Sequence, residues 1–320
     1  MMKRWRYSGR VMSGPADTRI LPMGDEAIAE AARLVLAGQP VAVPTETVYG
    51  LAADATNAEA VARIYAAKGR PAFNPLIVHV PDLEAAEAIG RLDGEAKALA
   101  RKHWPGPLTL VVPLRQGAGI ASLVTAGLPT IALRIPAHPA MLGLLRACGR
   151  PLAAPSANAS GLISPTRASH VLASLGGRIP LIIDGGATQR GIESTIVAAT
   201  GGALRLLRRG PIDVSAAEVK RPAAIEAPGQ LASHYAPRKP LRLDANEAGP
   251  DEYLIGFGPV PGDVSLSEAG DPVEAAARLF DLLHQADRAT QQRIAVAPVP
   301  GDGIAAAIRD RLKRAAAPRQ

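Results

Sequence analysis

Pro44-Thr45-Glu46-Thr47-Val48-Tyr49-Gly50-Leu51 follows the strand-like run Val41-Ala42-Val43, and Lys68-Gly69-Arg70-Pro71-Ala72-Phe73-Asn74-Pro75-Leu76 leads into a second such run, Leu76-Ile77-Val78-His79-Val80. Hydroxyls, cations and a carboxamide thus stand where two strands meet their loops, on backbone rigid enough to position them. Working outward, Asp25 opens a helical pattern through Ile28, Ala31, Ala32 and Val35. Strand signals continue at Leu108 to Leu114, Thr130 to Ile135, Leu181 to Asp184, Thr195 to Ala198 and Leu204 to Leu207. Several of these follow one another with no helix between, whereas a purely parallel sheet needs a crossover at every step. The pattern predicts an α/β fold built on a mixed sheet.

A chain of 320 residues favours about two domains. Residues 1–19 are basic and aperiodic and read as a loose tail, and residues 20–212 as the first domain. Residues 213–240 hold Pro222, Pro228, Gly229, Pro237 and Pro240 and read as a linker. Residues 241–320 show strands at Leu241 to Leu243, Tyr253 to Phe257 and Ile294 to Ala297. Helices are expected at Pro272 to Ala289 and Ile304 to Ala316, giving a small Rossmann-like α/β unit. Pro-Val-Pro-Gly-Asp occurs twice, at Pro259 to Asp263 and Pro298 to Asp302, each time after a strand.

The formal charge of +7 is unevenly spread: residues 21–212 hold 18 basic and 13 acidic side chains, residues 241–320 hold 9 and 12. No Asp or Glu occurs between Glu95 and Asp184, while Lys97, Arg101, Lys102, Arg115, Arg134, Arg146, Arg150, Arg167 and Arg178 do. Such a stretch reads as a solvated face or as a surface for an anionic partner, and its length favours the anion. Cys148 is the only cysteine, which excludes an intrachain disulfide and a cysteine metal cluster and fits a reducing compartment. No apolar run approaches the roughly 18 residues that span a bilayer. The start, Met1 to Tyr7, lacks an apolar segment behind its charges, so a cytoplasmic protein without membrane contact is expected.

Lys68 and Arg70 end a helical pattern carried by Val61, Ile64 and Tyr65, where cations meet the negative end of the helix dipole and gain roughly 0.3–1 kcal/mol. The continuation through Pro71 to Pro75 stiffens the loop and brings Asn74 beside them, a group suited to polyphosphate. No Walker sequence occurs, so any nucleotide site must be assembled from dispersed residues. Leu152 to Gly161 runs from a strand into small residues around Ser156 that let backbone N–H groups approach a phosphate or ribose. Ser164-Pro165-Thr166 is expected to open a helix with Ser164 as its cap, either as plain capping or as an anion site. Arg134 interrupts an apolar strand and must face solvent or a buried anion, for which a substrate carboxylate would serve. His79 reads as a hydrogen-bonded core histidine or as a site residue. Glu193-Ser194-Thr195 and Leu207-Arg208-Arg209-Gly210 add a hydroxyl pair and another cation. With no Ser-His-Asp, Cys-His or HExxH arrangement, the set suits positioning and charge neutralisation, as in phosphoryl and nucleotidyl transfer.

Seven ordered motifs, PTETVYGLAADA, KGRPAFNPLIVHV, WPGPLTLVV, LRIPAHP, PLAAPSANASG, ESTIV and LRRG, resemble the threonylcarbamoyl-AMP synthase family in its long form, from about residue 20 onward. The resemblance implies a YrdC-like catalytic domain, a twisted mixed sheet with flanking helices and a basic concave face, followed by the small Rossmann-like domain. It implies a nucleotidyltransferase condensing L-threonine, bicarbonate or CO₂, and ATP to threonylcarbamoyl-AMP and pyrophosphate, for a tRNA modification completed by a threonylcarbamoyltransferase. By motif position, Thr47, His79, Arg134 and Ser194 would hold threonine, with Arg134 on its carboxylate. Arg70, Asn74, Thr130, Ala154, Ser156, Ser164 and Arg208 would hold ATP, and Lys68 and Arg70 would neutralise its phosphates. Mg²⁺ would enter with ATP, with no metal ligands of the chain's own expected. Ala227 to Pro237 is similar to the family's linker, which folds over the site. His234 and Tyr235 match there and would touch nucleotide, whereas Ala232 and Ser233 depart from the pattern.

A rival reading is a basic module that binds double-stranded RNA or tRNA by its phosphates without catalysis, and weak RNA binding fits either reading. A second rival, a carbamoyl-adenylate enzyme within a larger maturation factor, lacks its expected neighbouring domains.

Overall fold

The computed structural model describes residues 17–214, 216–218, 226–229 and 233–318. Most of the expected tail, and Gln230, Leu231 and Ala232 of the linker, lie outside the described residues. The first sheet contains β1 (Arg19–Pro22), β2 (Val41–Val43), β3 (Gly50–Asp54), β4 (Ile77–His79), β5 (Leu108–Pro113), β6 (Thr130–Arg134), β7 (Leu152–Ala153), β8 (Leu181–Asp184), β9 (Thr195–Ala198), β10 (Arg205–Arg208) and β11 (Ala217–Glu218). Their spatial order is β1-β8-β2-β3-β7-β4-β6-β5-β9-β10-β11. Parallel pairs such as β4 with β6 and β5 with β9 alternate with antiparallel ones such as β3 with β7 and β5 with β6. This is the mixed sheet that the helix-free strand succession requires.

Two elements depart from the expectation. Pairing begins at Arg19, whose N–H donates to the Pro180 carbonyl, inside the stretch read as tail. Within the stretch read as linker, Ala217–Glu218 forms the edge strand β11 against β10. A two-residue strand has too short a pattern to be read, and only the neighbouring edge selects it.

Helices α1 (Asp25–Leu36), α2 (Ala58–Lys68), α3 (Leu83–Ile89), α4 (Gly94–His103), α5 (Ser122–Thr125), α6 (Pro139–Cys148) and α7 (Ala168–Leu175) accompany this sheet. Strand alternation divides the core: Val41, Val43, Leu181 and Ile183 pack with α1 and α6, while Ala42 and Ile182 face the larger cluster containing Val61, Ile64 and Val171. Both faces are therefore covered, which is why β2 and β8 read as unbroken apolar runs. The second sheet is all parallel, in the order β12-β15-β13-β14, from β12 (Leu241–Arg242), β13 (Glu252–Gly256), β14 (Val264–Ser265) and β15 (Arg293–Val296). It is joined by α8 (Pro272–Arg288) and α9 (Ile304–Ala316).

The two sheets share a packed boundary. Val48, Ile163, Ile192 and Tyr235 belong to the same apolar cluster as Phe280, Leu283 and Ile308 of the second unit. A Cβ on Gly191, whose φ is +67°, would lie 2.3 Å from the Ala276 carbonyl oxygen of α8; only glycine allows this approach. Nearby, Arg167 pairs with Asp281 at 2.9 Å, and the His170 and His284 rings stack with centroids 3.9 Å apart. His284 Nε2 lies 3.1 Å from the Ser164 carbonyl oxygen.

Burial, followed by the neighbouring His170, pushes the His284 imidazole down to about 3. Once undocked it would protonate near 6.5, so docking is at full strength above pH 6.5 and weakens as pH falls toward 3. The melting temperature is therefore expected to fall between pH 7 and pH 4, and more steeply than in His284→Asn, as read by calorimetry across that range. Equal slopes would contradict it.

Candidate active site

The β2–β3 connection is shaped by one hydroxyl. Thr45 Oγ1 donates to the Val48 carbonyl at 2.6 Å, accepts from the Thr47 and Val48 N–H groups at 3.2 Å, and lies 2.8 Å from Thr47 Oγ1. The local bonding replaces ladder partners with a tight turn, and it presents Thr47 to the inside. Parallel pairing of β4 with β6 sets His79 opposite Arg134. Arg134 Nη2 donates to Glu46 Oε1 at 2.7 Å and to Thr47 Oγ1 at 3.1 Å, and its Nε donates to the Gly106 carbonyl. Burial opposes the charge on Glu46, but the Arg134 guanidinium and the Ala137 N–H outweigh it and hold its pKa below the usual carboxylate range.

Helix α2 begins where Asn57 accepts from the Glu59 and Ala60 N–H groups, and it ends at Gly69 in the left-handed region, φ +59°. That reversal turns the chain inward, so Arg70 is buried and donates to the Asn74 and Pro75 carbonyls at 3.2 and 2.9 Å. The Asn74 side chain is buried with neither polar atom hydrogen-bonded. Lys68 points the other way. Its ammonium donates to the Ser156 and Asn158 carbonyls, holding the small-residue loop after β7 against α2.

At the far end, Arg208 donates through Nε and Nη2 to the carbonyl and hydroxyl of Ser194, at 3.0 and 3.1 Å, and Ser194 Oγ lies 2.7 Å from Thr109 Oγ1. Above these, residues 226–229 and 233–236 close over the sheet. Tyr235 adopts φ +64° and packs its ring against His234 and against Phe280 of α8. A Cβ on Gly229 would meet the Tyr235 hydroxyl at 2.9 Å and Arg208 Cδ at 3.1 Å, so this cover lies tight on the Arg208 side chain.

These parts line one partly open cavity, of which about 50 Å³ is free to a water-sized sphere. From the sequence-derived set, Thr47, Arg70, His79, Arg134, Ala154, Ser156, Ser194, Arg208, His234 and Tyr235 line it. Four do not. Lys68 lies behind the Ser156 loop, so its charge acts on the wall rather than facing the cavity. Asn74 sits beneath Arg70, and Thr130 stands at the end of β6 remote from Arg134. Ser164 corrects an expectation: the following helix starts at Ala168 with Arg167 as its cap. The Ser164 hydroxyl instead donates to Glu193 Oε1, which does line the cavity. The helix starts too late for Ser164 to cap it, and its hydroxyl proton goes to the buried carboxylate in a charge-assisted bond.

Sequence reasoning assigned no role to Glu46, Thr45 or Glu193. The first two lie inside the Pro44 to Leu51 stretch, where a carboxylate between two hydroxyls within an apolar surround was the available signal.

The charges explain what the cavity can hold. Arg134 is matched by Glu46, but among the described residues no carboxylate pairs directly with Arg70 or Arg208. Burial pushes the Arg70 guanidinium down to about 10 and lowers Arg208 as well. Burial first, then Arg134, brings His79 to about 3, and burial with the surrounding cations depresses His234. Both imidazoles are therefore neutral near pH 7, each with an unpartnered Nδ1, and the Tyr235 hydroxyl is unpartnered too. Two buried guanidiniums with no carboxylate bonded to them, beside unfilled hydrogen-bonding groups, make a setting that suits an anion. Among the described residues no cluster of three His, Cys, Asp or Glu could hold a metal, and no helix is long and apolar enough to cross a membrane.

Residues 33–210 match the Sua5/YciO/YrdC family, described as telomere recombination, and residues 188–317 match the threonylcarbamoyl-AMP synthase C-terminal domain. The threonylcarbamoyl-AMP synthase of Bacillus subtilis is 40% identical over 330 residues, covering 92% of this chain and 94% of that protein. Its Pyrococcus abyssi counterpart is 40% identical over 317 residues, covering 89% and 92%. The chain belongs to the threonylcarbamoyl-AMP synthase family. A crystal structure of P. abyssi Sua5 complexed with L-threonine matches with a TM-score of 0.86 at 36% identity, covering 93% of this chain and 98% of that one. The mixed sheet with its flanking helices and the parallel-sheet second unit are thus this family's fold.

Because Arg134 and Glu46 are both buried, removing one leaves the other's charge unmatched. Arg134→Met is expected to lower unfolding stability by about 3–5 kcal/mol. Adding Glu46→Gln should recover most of that loss in denaturant melts; a double variant no better than the single would show that the pair is not the cause.

Proposed function

We propose that this chain catalyses the synthesis of threonylcarbamoyl-AMP from ATP, L-threonine and bicarbonate or CO₂, as a nucleotidyltransferase serving tRNA modification. The observation that carries the reading is that one cavity gathers residues of both expected sets. Thr47, His79, Arg134 and Ser194 stand beside Arg70, Ser156, Arg208, His234 and Tyr235. An amino acid and a nucleotide held there have their reacting atoms adjacent.

Arg134 uses Nε and Nη2 internally, which leaves Nη1 for the threonine carboxylate. The neutral His79 and the Thr47 hydroxyl orient the amine. Threonine nitrogen adds to the carbon of CO₂ and loses a proton, giving a carbamate, one of whose oxygens attacks the α-phosphorus of ATP as pyrophosphate leaves. The chain needs no covalent intermediate for this. Arg70 and Arg208, already desolvated, stabilise the charge that develops on the phosphates. The unpaired Asn74 carboxamide would reach the nucleotide by turning out from beneath Arg70, and Lys68 would fix the Ser156 loop that receives it. Ser164 acts on the site from outside the cavity wall, through its hydrogen bond to Glu193. Mg²⁺ finds no ligand set of the chain's own among the described residues, since Glu46 and Glu193 are both engaged by arginine. It would be carried by the phosphates, and no step is assigned to it. The product, a mixed anhydride, calls for a threonylcarbamoyltransferase that delivers it to tRNA.

Pyrophosphate release that requires threonine and bicarbonate together is the expected result, read by a coupled phosphatase assay. Arg134→Lys should raise the KM for threonine tenfold or more with a smaller effect on the KM for ATP. Serine in place of threonine should cost about 1–3 kcal/mol in kcat/KM. No turnover, with tight salt-sensitive tRNA binding instead, would replace this reading with that of an RNA-binding module.

A further inference from the structure

Arg311 lies on α9 in the second unit, yet it is fully buried against the first. Its Nε donates to Glu193 Oε2 at 2.8 Å, its Nη2 to the Arg209 carbonyl at 2.8 Å, and its Nη1 to Asp310 at 2.9 Å. Its guanidinium carbon is 5.4 Å from the centroid of the Tyr235 ring. All three nitrogens are thereby committed, and two of the bonds hold segments that flank the cavity. Glu193 lines the cavity itself, and Arg209 follows directly on Arg208.

Glu193 is buried and has two cations acting on it, Arg311 first and Arg208 second. While Arg311 occupies one carboxylate oxygen and the Ser164 hydroxyl the other, Arg208 stays on Ser194. Its Nη1 then makes no hydrogen bond among the described residues and is free for an anion. Take Arg311 away, and the carboxylate, still bonded by the Ser164 hydroxyl, has Arg208 as its remaining cation.

We propose that Arg311 is a positioning residue of the active site: by engaging Glu193 and the Arg209 carbonyl, it keeps Arg208 available to the nucleotide, so docking of the second unit sets the affinity for ATP. This rests on the reading of the cavity as a site for ATP and threonine. The close approach of Gly191 to α8 puts the docked boundary two residues from Glu193, so a displacement of α8 or α9 is felt there directly.

The test is calorimetric binding of ATP and of L-threonine, measured separately on the full chain, with melting temperatures alongside. Arg311→Gln is expected to weaken ATP tenfold or more and threonine less than threefold. The double variant Glu193→Gln/Arg311→Gln removes the stranded carboxylate and should return ATP binding to within threefold of wild type. A purely structural contact would give no such rescue. ATP binding unchanged in Arg311→Gln, threonine weakened equally, or no recovery in the double variant would overturn the proposal. Arg311→Lys keeps the charge without the fork, should fall between, and carries the same comparison if Arg311→Gln does not fold. A wild type that binds no ATP removes the functional reading and this inference with it. A wild type that binds ATP and is matched by Arg311→Gln removes only the inference.

Discussion

Charge buried without its counterpart is the constraint around which this protein is arranged. A guanidinium taken out of water must find a carboxylate, a set of carbonyls or a ligand. Arg134 and Arg311 find Glu46 and Glu193, whereas Arg70 and Arg208 find only neutral oxygens. The first two are settled by the fold. The second two keep unsatisfied electrostatic demand, which the phosphates of the proposed nucleotide would meet. Preorganised cations of this kind need no rearrangement as charge develops, which is where electrostatic catalysis draws its strength.

The sheet topology makes this arrangement possible. Parallel pairing of β4 with β6 puts His79 and Arg134 side by side, and parallel pairing of β5 with β9 brings Thr109 beside Ser194. Antiparallel neighbours on either side deliver the Thr45 turn and the Ser156 loop to the same region. The second unit then closes the assembly through a core it shares with Val48, Ile192 and Tyr235. The appended unit is thus continuous with the wall of the site. Tyr235, held between Phe280 and Arg311 in a left-handed conformation, is where cover, second unit and cavity meet.

Local sequence was sufficient for the elements with strong periodicity. The α9 pattern from Ile304 to Ala316 and the strands Leu181–Asp184 and Thr195–Ala198 lie where the residues place them, because burial on one or both faces writes itself into the residue pattern. The helix-free strand succession likewise determined that the sheet is mixed. The residue types of the site were legible too. A hydroxyl, an arginine or a histidine set into an apolar strand is costly enough to demand a reason, and Thr47, Arg134, His79 and Arg208 all proved to face one cavity.

What the tertiary structure alone decided is which partner each polar group takes. Ser164 had the spacing of a helix cap, but the helix starts only at Ala168, and the Ser164 hydroxyl donates to the Glu193 carboxylate, 29 residues away. Lys68 had the look of a phosphate cation, and burial turned it onto two backbone carbonyls. The short strand β11 exists because an edge was there to pair with. Arg311 shows the limit most clearly: its place on the face of α9 that carries Ile308 and Leu312 makes it costly to bury, and only docking across 118 residues of sequence gives it Glu193. Sequence determines where polar groups are expensive to bury; the packed fold determines what meets their need.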